Sequence, residues 1–236
     1  MYLRFFTTFH FVQNDNKMPR ITENIWNNQF CFNQVENPKI WVADMIEWVA
    51  KDLEIWENTV FREMKNWNIS EYKWLKNFIH IKNSNQSIYI FDNHNHALNY
   101  RIEEYKLWNI SLWFNLIHID QHTDMNSSEF ELDLENPNFD VYNVWNFIKP
   151  AIKSWLIRNV EQINTEYKLL NYETEKNDLI LDIDLDFRAP EMSIEKYPET
   201  IKKAKNLISK SRVVTIATSP YFLNQRFAIK ICDELV

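Results

Sequence analysis

Glycine is missing altogether from the 236 residues. Average usage of roughly 7% would supply about 16 in a chain of this length. Every turn and tight loop must therefore form without the one residue that reaches positive φ at no steric cost. Tryptophan, by contrast, occurs 10 times, and some copies sit where glycine would be at ease. Trp67 and Trp108 each precede an asparagine in a short polar connection. Trp155 closes the helical stretch 147–154, where a left-handed glycine commonly ends a helix. Two explanations stay open. One is an AT-biased genome poor in GGN codons, in keeping with the richness in Asn, Ile and Lys. The other is a source that reads UGA as glycine; UGG at every tryptophan would end it.

Cysteine is scarce too. Cys31 and Cys232 match no zinc-binding spacing and form no disulfide framework, so a reducing cytoplasm is the expected location. No apolar run approaches the ~20 residues of a membrane helix. The segment Phe5-Phe6-Thr7-Thr8-Phe9-His10-Phe11-Val12 is too short and too interrupted for a signal peptide. Met18-Pro19-Arg20 offers an alternative start, which would make 1–17 an extension to a single domain over 18–236. Positive charge is in deficit, with a formal net charge of -7. Phosphate backbones and anionic headgroups repel an acidic surface, so neither nucleic acid nor membrane is an expected partner.

What is present is an ordinary globular composition, 45% hydrophobic and 25% charged, with length for a substantial core. No repeat, low-complexity tract or Pro/Ser-rich linker divides it. Residues 41–65 space Val42, Met45, Ile46, Val49, Leu53, Ile55 and Val60 among acids and lysines, as in a long amphipathic helix or a broken pair. Apolar runs at 88–91, 114–120, 179–186 and 212–218 read as strands. Helices are expected at 97–107, 142–157, 194–209 and 222–235. Residues 126–142, acidic and carrying Pro137, read as an irregular surface loop. Near-continuous apolar strands alternating with helices indicate an α/β fold, three layers α/β/α with a mainly parallel sheet. Such sheets bind ligands beyond the carboxyl ends of their strands.

Three of those strands end in metal-ligand residues. His94-Asn95-His96 follows Ile88–Phe91, and Asp120-Gln121-His122-Thr123-Asp124 follows Leu116–Ile119. Asp182-Ile183-Asp184-Leu185-Asp186 follows Leu179–Leu181. On an extended backbone Asp120, His122 and Asp124 share one side, about 6–7 Å between successive members. The candidate ligands are His94, Asp120, His122, Asp124, Asp184 and Asp186. Carboxylates outnumber imidazoles in this set, which favours Mn2+ over a thiolate zinc centre. The number of ligands exceeds the three protein ligands usual at a catalytic zinc, and suits two metal ions about 3.5–4 Å apart. Such a pair makes a shared water acidic enough to attack a trigonal carbon, with no serine or cysteine nucleophile.

Neighbouring residues have several readings each. Asp182 faces the same way as Asp184, and either orients a ligand from behind or takes the place of Asp186. His96 is a ligand, a proton shuttle or a polar helix start. His118 is a strand-core histidine or one that orients a ligand. Asn126 either touches substrate or caps the next segment. His10 and His80 have no constellation around them.

The run Asp120-Gln121-His122-Thr123-Asp124-Met125-Asn126 resembles the Asp-x-His-Thr-Asp-x-Asn motif of the arginase–deacetylase superfamily. Asp184-Leu185-Asp186, with Pro190 four residues on, resembles that superfamily's second metal motif, Asp-x-Asp-x-x-x-Pro. His94 stands where the first metal histidine would fall. Together with Phe91–Leu98, His118–His122, Leu181–Phe187 and Thr218–Tyr221, the stretch 85–222 resembles the peptide arginase family. That resemblance implies two Mn2+ ions and hydrolysis of a C–N bond in a peptide or small-molecule guanidine or amide. The foremost candidate is the guanidino group of arginine in a peptide, giving ornithine and urea. It also implies catalytic roles for Asp124 and His96, and substrate contacts for Asn126 and Ser219. Two departures count against free arginine. Phe91-Asp92-Asn93 stands where arginases carry Gly-Gly-Asp, and no acid adjoins Thr218-Ser219-Pro220 where they carry a guanidinium-binding glutamate.

Other readings compete. A deacetylase or amidohydrolase of the same superfamily would use the same ligands, and a non-catalytic metal-binding domain would keep them without turnover. Leu181-Asp182-Ile183-Asp184 also looks like the nucleophile motif of aspartate-dependent phosphatases, with 213–219 as a phosphate-binding strand. That fold's lysine and acidic Mg2+ pair would then have to fit into the last 17 residues, where only Asp233-Glu234 offers acids.

Overall fold

The computed structural model describes residues 20–21, 40–41, 43–47, 52–65, 68–127, 131–137, 144–177 and 179–236. The expectations for the N-terminal extension, for Cys31 and for Trp67 lie outside the described residues. The strands are β1 (Arg20–Ile21), β2 (Ile40–Trp41), β3 (Asp44–Glu47), β4 (Ile55–Lys65), β5 (Asn68–Leu75) and β6 (Asn77–Lys82). They continue with β7 (Ser87–Phe91), β8 (Phe114–Ile119), β9 (Ile157–Ile163), β10 (Leu179–Asp184) and β11 (Ser211–Ala217). The helices are α1 (His96–Lys106), α2 (Ile148–Lys153), α3 (Glu166–Asn171), α4 (Tyr197–Ser209) and α5 (Gln225–Leu235).

One sheet takes its strands in the order β3-β6-β7-β11-β10-β8-β9. Only β6 and β7 pair antiparallel; the remaining pairings are parallel. The fold is α/β with a mainly parallel sheet, as the alternation of strands and helices predicts. The four strands legible from apolar runs, β7, β11, β10 and β8, are its contiguous centre. Every residue of β7 and β10 is buried, as strands covered on both faces require. Helix α1 lies against β7 and β11, and α4 against β10 and β11. In α4, Ile201, Ala204, Leu207 and Ile208 turn inward while Lys202 and Lys205 stay in solvent, the stripe of a helix on a sheet. Asn224 caps α5 by accepting the backbone N–H groups of Arg226 and Phe227.

Three stretches depart from expectation. Within 41–65, the described segments Asp44–Glu47 and Ile55–Lys65 are strands, not helix. β3 is fixed by β6 and β4 by β5, partners that periodicity within the segment itself does not reveal. Among the described residues, the helix expected over 142–157 survives only as α2. The chain turns at Ser154-Trp155 and enters β9, an edge strand whose half-exposed pattern gives it little apolar signature. The strand expected to run to Asp186 stops at Asp184, because Leu185–Arg188 winds into a 3-10 turn capped by the Asp184 carboxylate.

Among the described residues, positive φ occurs at Trp108 (62°), Trp113 (65°), Asp124 (51°), Trp155 (67°), Ser193 (49°) and Ser219 (44°). Trp108 follows the last residue of α1 by two. Its N–H reaches Tyr105 O at 3.0 Å, and Asn109 N–H reaches Glu104 O at 2.9 Å. That is the paired bonding of a Schellman ending, in which the left-handed residue is usually glycine. Trp155 stands in the same place after α2, with its N–H 3.1 Å from Ile152 O.

Candidate metal centre

Because β7, β11, β10 and β8 run parallel, their carboxyl ends lie along one edge of the sheet. The segments that leave them are 92–96, 218–219, the end of β10 with its 3-10 turn, and 120–124. Backbone bonds tie the first two together, from Thr218 N–H to Phe91 O and from Ser219 N–H to Asp92 O, each 2.9 Å. Gln162, from β9, braces the last of these, 120–124, by donating its amide to Asp120 O (3.1 Å) and His122 O (2.7 Å). Nothing in the sequence singled out Gln162.

His94 is the meeting point. Its Nδ1 lies 2.9 Å from Asp124 Oδ2, 3.0 Å from Asp120 Oδ2 and 3.1 Å from Asp184 Oδ2. A second group lies alongside: His122 Nδ1 is 2.7 Å from Asp186 Oδ2 and 3.7 Å from Asp120 Oδ1. Asp120 thus turns one carboxylate oxygen toward each histidine. The structure brings together His94, Asp120, His122, Asp124, Asp184 and Asp186. His94, Asp120, Asp184 and Asp186 are sealed from solvent, while the His122 side chain is 48% exposed against Phe222.

Behind this layer, Asp182 is wholly buried between residues from three elements. Its Oδ2 accepts His118 Nδ1–H at 2.8 Å, and its Oδ1 accepts the Thr215 hydroxyl at 2.6 Å. The Arg101 guanidinium, from α1, closes an ion pair on Oδ1. So enclosed, Asp182 leaves no line of approach for a phosphorus atom, and the phosphatase reading loses its nucleophile. His118 sits among the donors themselves. Its Nε2 is 3.3 Å from Asp120 Oδ2, and its ring stacks on that of His94 with centroids 5.3 Å apart. Arg101 escaped the sequence reading, although an arginine one helical turn from the buried Leu98 and beside Ile102 is the kind of polar residue on an apolar face that merits a partner.

The remaining expected residues fall nearby. His96 is buried at the start of α1, its Nε2 3.4 Å from Asp92 Oδ1 and its ring against Phe78 and Phe91. Ser219 is buried with positive φ, and its carbonyl accepts from Phe222 and Leu223 N–H. Asn126 is exposed, its backbone N–H bonded to Trp145 O at 3.0 Å.

The donors fit divalent cations. His94, His118 and Asp120 each offer an atom within 4.8 Å of the others, and so do Asp120, His122 and Asp186. His94 Nδ1, His118 Nε2 and Asp120 Oδ2 are buried without a hydrogen bond of proper geometry. Orphaned buried atoms of this kind are costly, and a cation satisfies them together.

The electrostatics agree. Burial pushes the Asp124 carboxyl up to about 6, and raises Asp186 well above the ordinary range with help from the Asp184 charge. Burial would lower His118, but hydrogen bonds with Asp120 and Asp182 hold it at about 9. The hydrogen bond with Asp186 likewise lifts His122 to about 9. Burial opposes charge on Asp120 and Asp182 too. His118 and His94 nevertheless keep Asp120 well below the carboxylate range, and Arg101 and His94 do the same for Asp182. The cluster takes up protons for want of positive charge, and metal ions would replace those protons.

No protein-family model matches the chain, and no curated protein sequence does. Among solved structures it is similar to the proclavaminate amidino hydrolase from Streptomyces clavuligerus, at 12% identity and a TM-score of 0.45. The similarity covers 63% of this chain and 61% of that one, so the chain spans about three fifths of the length of the protein it matches. The likeness is one of shape, and the chemistry below rests on the residues themselves.

Proposed function

We propose that this chain is a binuclear-metal hydrolase that cleaves a C–N bond, and that its substrate is the guanidino group of arginine within a peptide, released as urea to leave ornithine. The observation that carries the metal reading is Asp120, whose two oxygens face His94 and His122 on opposite sides of one carboxylate. His94 and Asp124 would hold one Mn2+ and His122 and Asp186 the other, with Asp120 and Asp184 shared between them. The pair would supply Lewis acidity and a water acidic enough to react near neutral pH. The guanidine substrate rests on the motif resemblance, and the missing acid beside Ser219 favours an arginine in a peptide over the free amino acid.

The chain's own groups divide the remaining work. The half-exposed His122 stands at the solvent side of the cluster, where substrate would enter. Asp124, to which the motif assigns a catalytic role, would hold the metal beside His94 through its Oδ2. Asn126, exposed beside it, would contact the substrate backbone.

The test is purified protein loaded with Mn2+ and offered arginine-containing peptides, with urea release and the mass change from arginine to ornithine as readouts. Urea from peptides but not from free arginine is expected. Full metal occupancy with deacetylation of an acyl-lysine or acyl-polyamine, and no urea, would replace the guanidine substrate with an amide. Metal bound with no turnover of either class would leave a metal-binding domain.

A further inference from the structure

Among the described residues Arg101 is the largest side chain buried completely, with no exposed surface. Burying a guanidinium is costly unless it is paired. Its Nη2 donates to Thr215 Oγ1 at 3.0 Å, Thr215 donates to Asp182 Oδ1, and the guanidinium and that carboxylate form an ion pair. The other oxygen of Asp182 lies 2.8 Å from His118 Nδ1, whose N–H it accepts, and 3.0 Å from His94 Nε2. With His118 Nδ1 so engaged, its Nε2 is left toward Asp120 Oδ2, the oxygen that also faces His94.

We infer that Arg101 is a positioning residue, which holds Asp182 so that its Oδ2 orients two rings of the cluster, His118 through Nδ1–H, leaving Nε2 turned onto Asp120, and His94 through Nε2. This rests on the metal-centre reading for its purpose, though not for its geometry. The test uses the full chain with Arg101→Lys, Thr215→Val and Asp182→Asn, the first two keeping the fold should the third disturb it. Histidine ring nitrogens are read by 15N NMR on metal-free protein at a pH where His118 is neutral, and Mn2+ affinity by titration. The Nδ1–H form is expected for wild-type His118. In Asp182→Asn, whose amide can donate to Nδ1, the Nε2–H form is expected. Arg101→Lys and Asp182→Asn should weaken Mn2+ binding by about 10–100-fold, the usual cost of losing an orienting partner, with Thr215→Val smaller in the same direction. An Nε2–H wild-type ring, or unchanged Mn2+ affinity in both Arg101→Lys and Asp182→Asn, would overturn it. Failure of the wild type to take up Mn2+ with the Nδ1–H form intact would remove the metal reading and leave the positioning in place.

A separate observation concerns the tryptophans. Trp108, Trp113 and Trp155 all take positive φ, and the three residues are 88%, 49% and 59% exposed. A bulky residue in that region is strained by its Cβ against the neighbouring carbonyl, and although the Trp113 and Trp155 rings stack with centroids 4.8 Å apart, none of the three indoles is buried in return. Two of the three occupy helix endings that favour glycine, in a chain that has none.

The geometry points to glycine at positions 108, 113 and 155 in the protein that the source organism makes, through a UGA codon read as glycine. Sequencing the gene and mapping the peptides of protein isolated from its source decide this: UGA codons and glycine-containing peptides are expected. UGG codons, or tryptophan in those peptides, would overturn it. A recombinant chain gives a second readout. Trp108→Gly and Trp155→Gly should each raise Tm by roughly 2–4 °C, whereas Trp108→Ala, which keeps a Cβ, should not. No gain from either glycine would contradict the strain on which the inference stands.

Discussion

Asp120 and Asp184 are held in the same way at the ends of adjacent strands. Each gives Oδ1 to the backbone N–H two residues on, at 2.5 Å to His122 and 2.8 Å to Asp186. Each keeps Oδ2 on His94 Nδ1, at 3.0 and 3.1 Å. The local turn that an aspartate forms with its own backbone thus aims the second oxygen and presents the next ligand of the motif in one step. If the site holds the metal pair proposed above, this shared placement is what would let the two carboxylates serve both ions.

Asp120→Ala should therefore abolish Mn2+ retention and hydrolysis together. Both groups of donors lose a member, and Asp124, Asp184 and Asp186 are left facing one another. Metal content by elemental analysis, measured beside urea release, checks this; retained stoichiometric metal would refute the shared role.

Asn126→Ala should separate binding from chemistry. Its side chain is exposed and its backbone bond to Trp145 does not need the amide. Metal content and Tm should stay at wild-type values while KM for the peptide rises. A loss of metal would show that the residue supports the site instead.

The metal-free chain and the loaded chain should respond to pH in opposite senses. His118 and His122 stand at about 9 in the folded protein against an ordinary 6.5. Their contribution to metal-free stability is fully present below 6.5 and lost as pH rises through 9. Mn2+ must displace those same protons, so apparent metal affinity should climb between pH 6.5 and 9 and then level off. Urea melts of chelated protein and Mn2+ titrations across this range measure the two arms. An Mn2+ affinity flat over the window would place the metal elsewhere.

Phe147→Ala should cost about 3–5 kcal/mol of stability, the range for emptying a fully buried aromatic site. Phe147 has no exposed surface, lies edge-on to His94 with centroids 5.0 Å apart, and sits under the Arg101 guanidinium at 5.9 Å. The urea midpoint should fall with little change in m. A loss below about 1 kcal/mol would mean that the site closes over the cavity without reaching His94.

The central strands and the donor motifs were legible in the chain itself, because both are local. A strand buried on two faces must be apolar along its length, as Ile88–Phe91 and Leu179–Leu181 are, and an Asp-x-His or Asp-x-Asp run carries its turn chemistry within three residues. The outer strands were not legible. β3 and β9 are recruited by partners distant in sequence, and their half-exposed patterns mimic a helix or a loop; β4 takes the following strand, β5, as its partner, which periodicity over 41–65 does not reveal. Tertiary structure alone decided which donors meet. Parallel pairing brings β7, β8 and β10 to one edge, so that His94 faces three aspartates from two other strands. It also set His118, legible as a strand-core or ligand-orienting histidine, against Asp120 and Asp182, and placed Arg101, from a helix with no motif, against Asp182. The sequence determines what each residue can offer; the register of the sheet determines to whom, since a shift of one residue would send Asp182 and Asp184 to the opposite face.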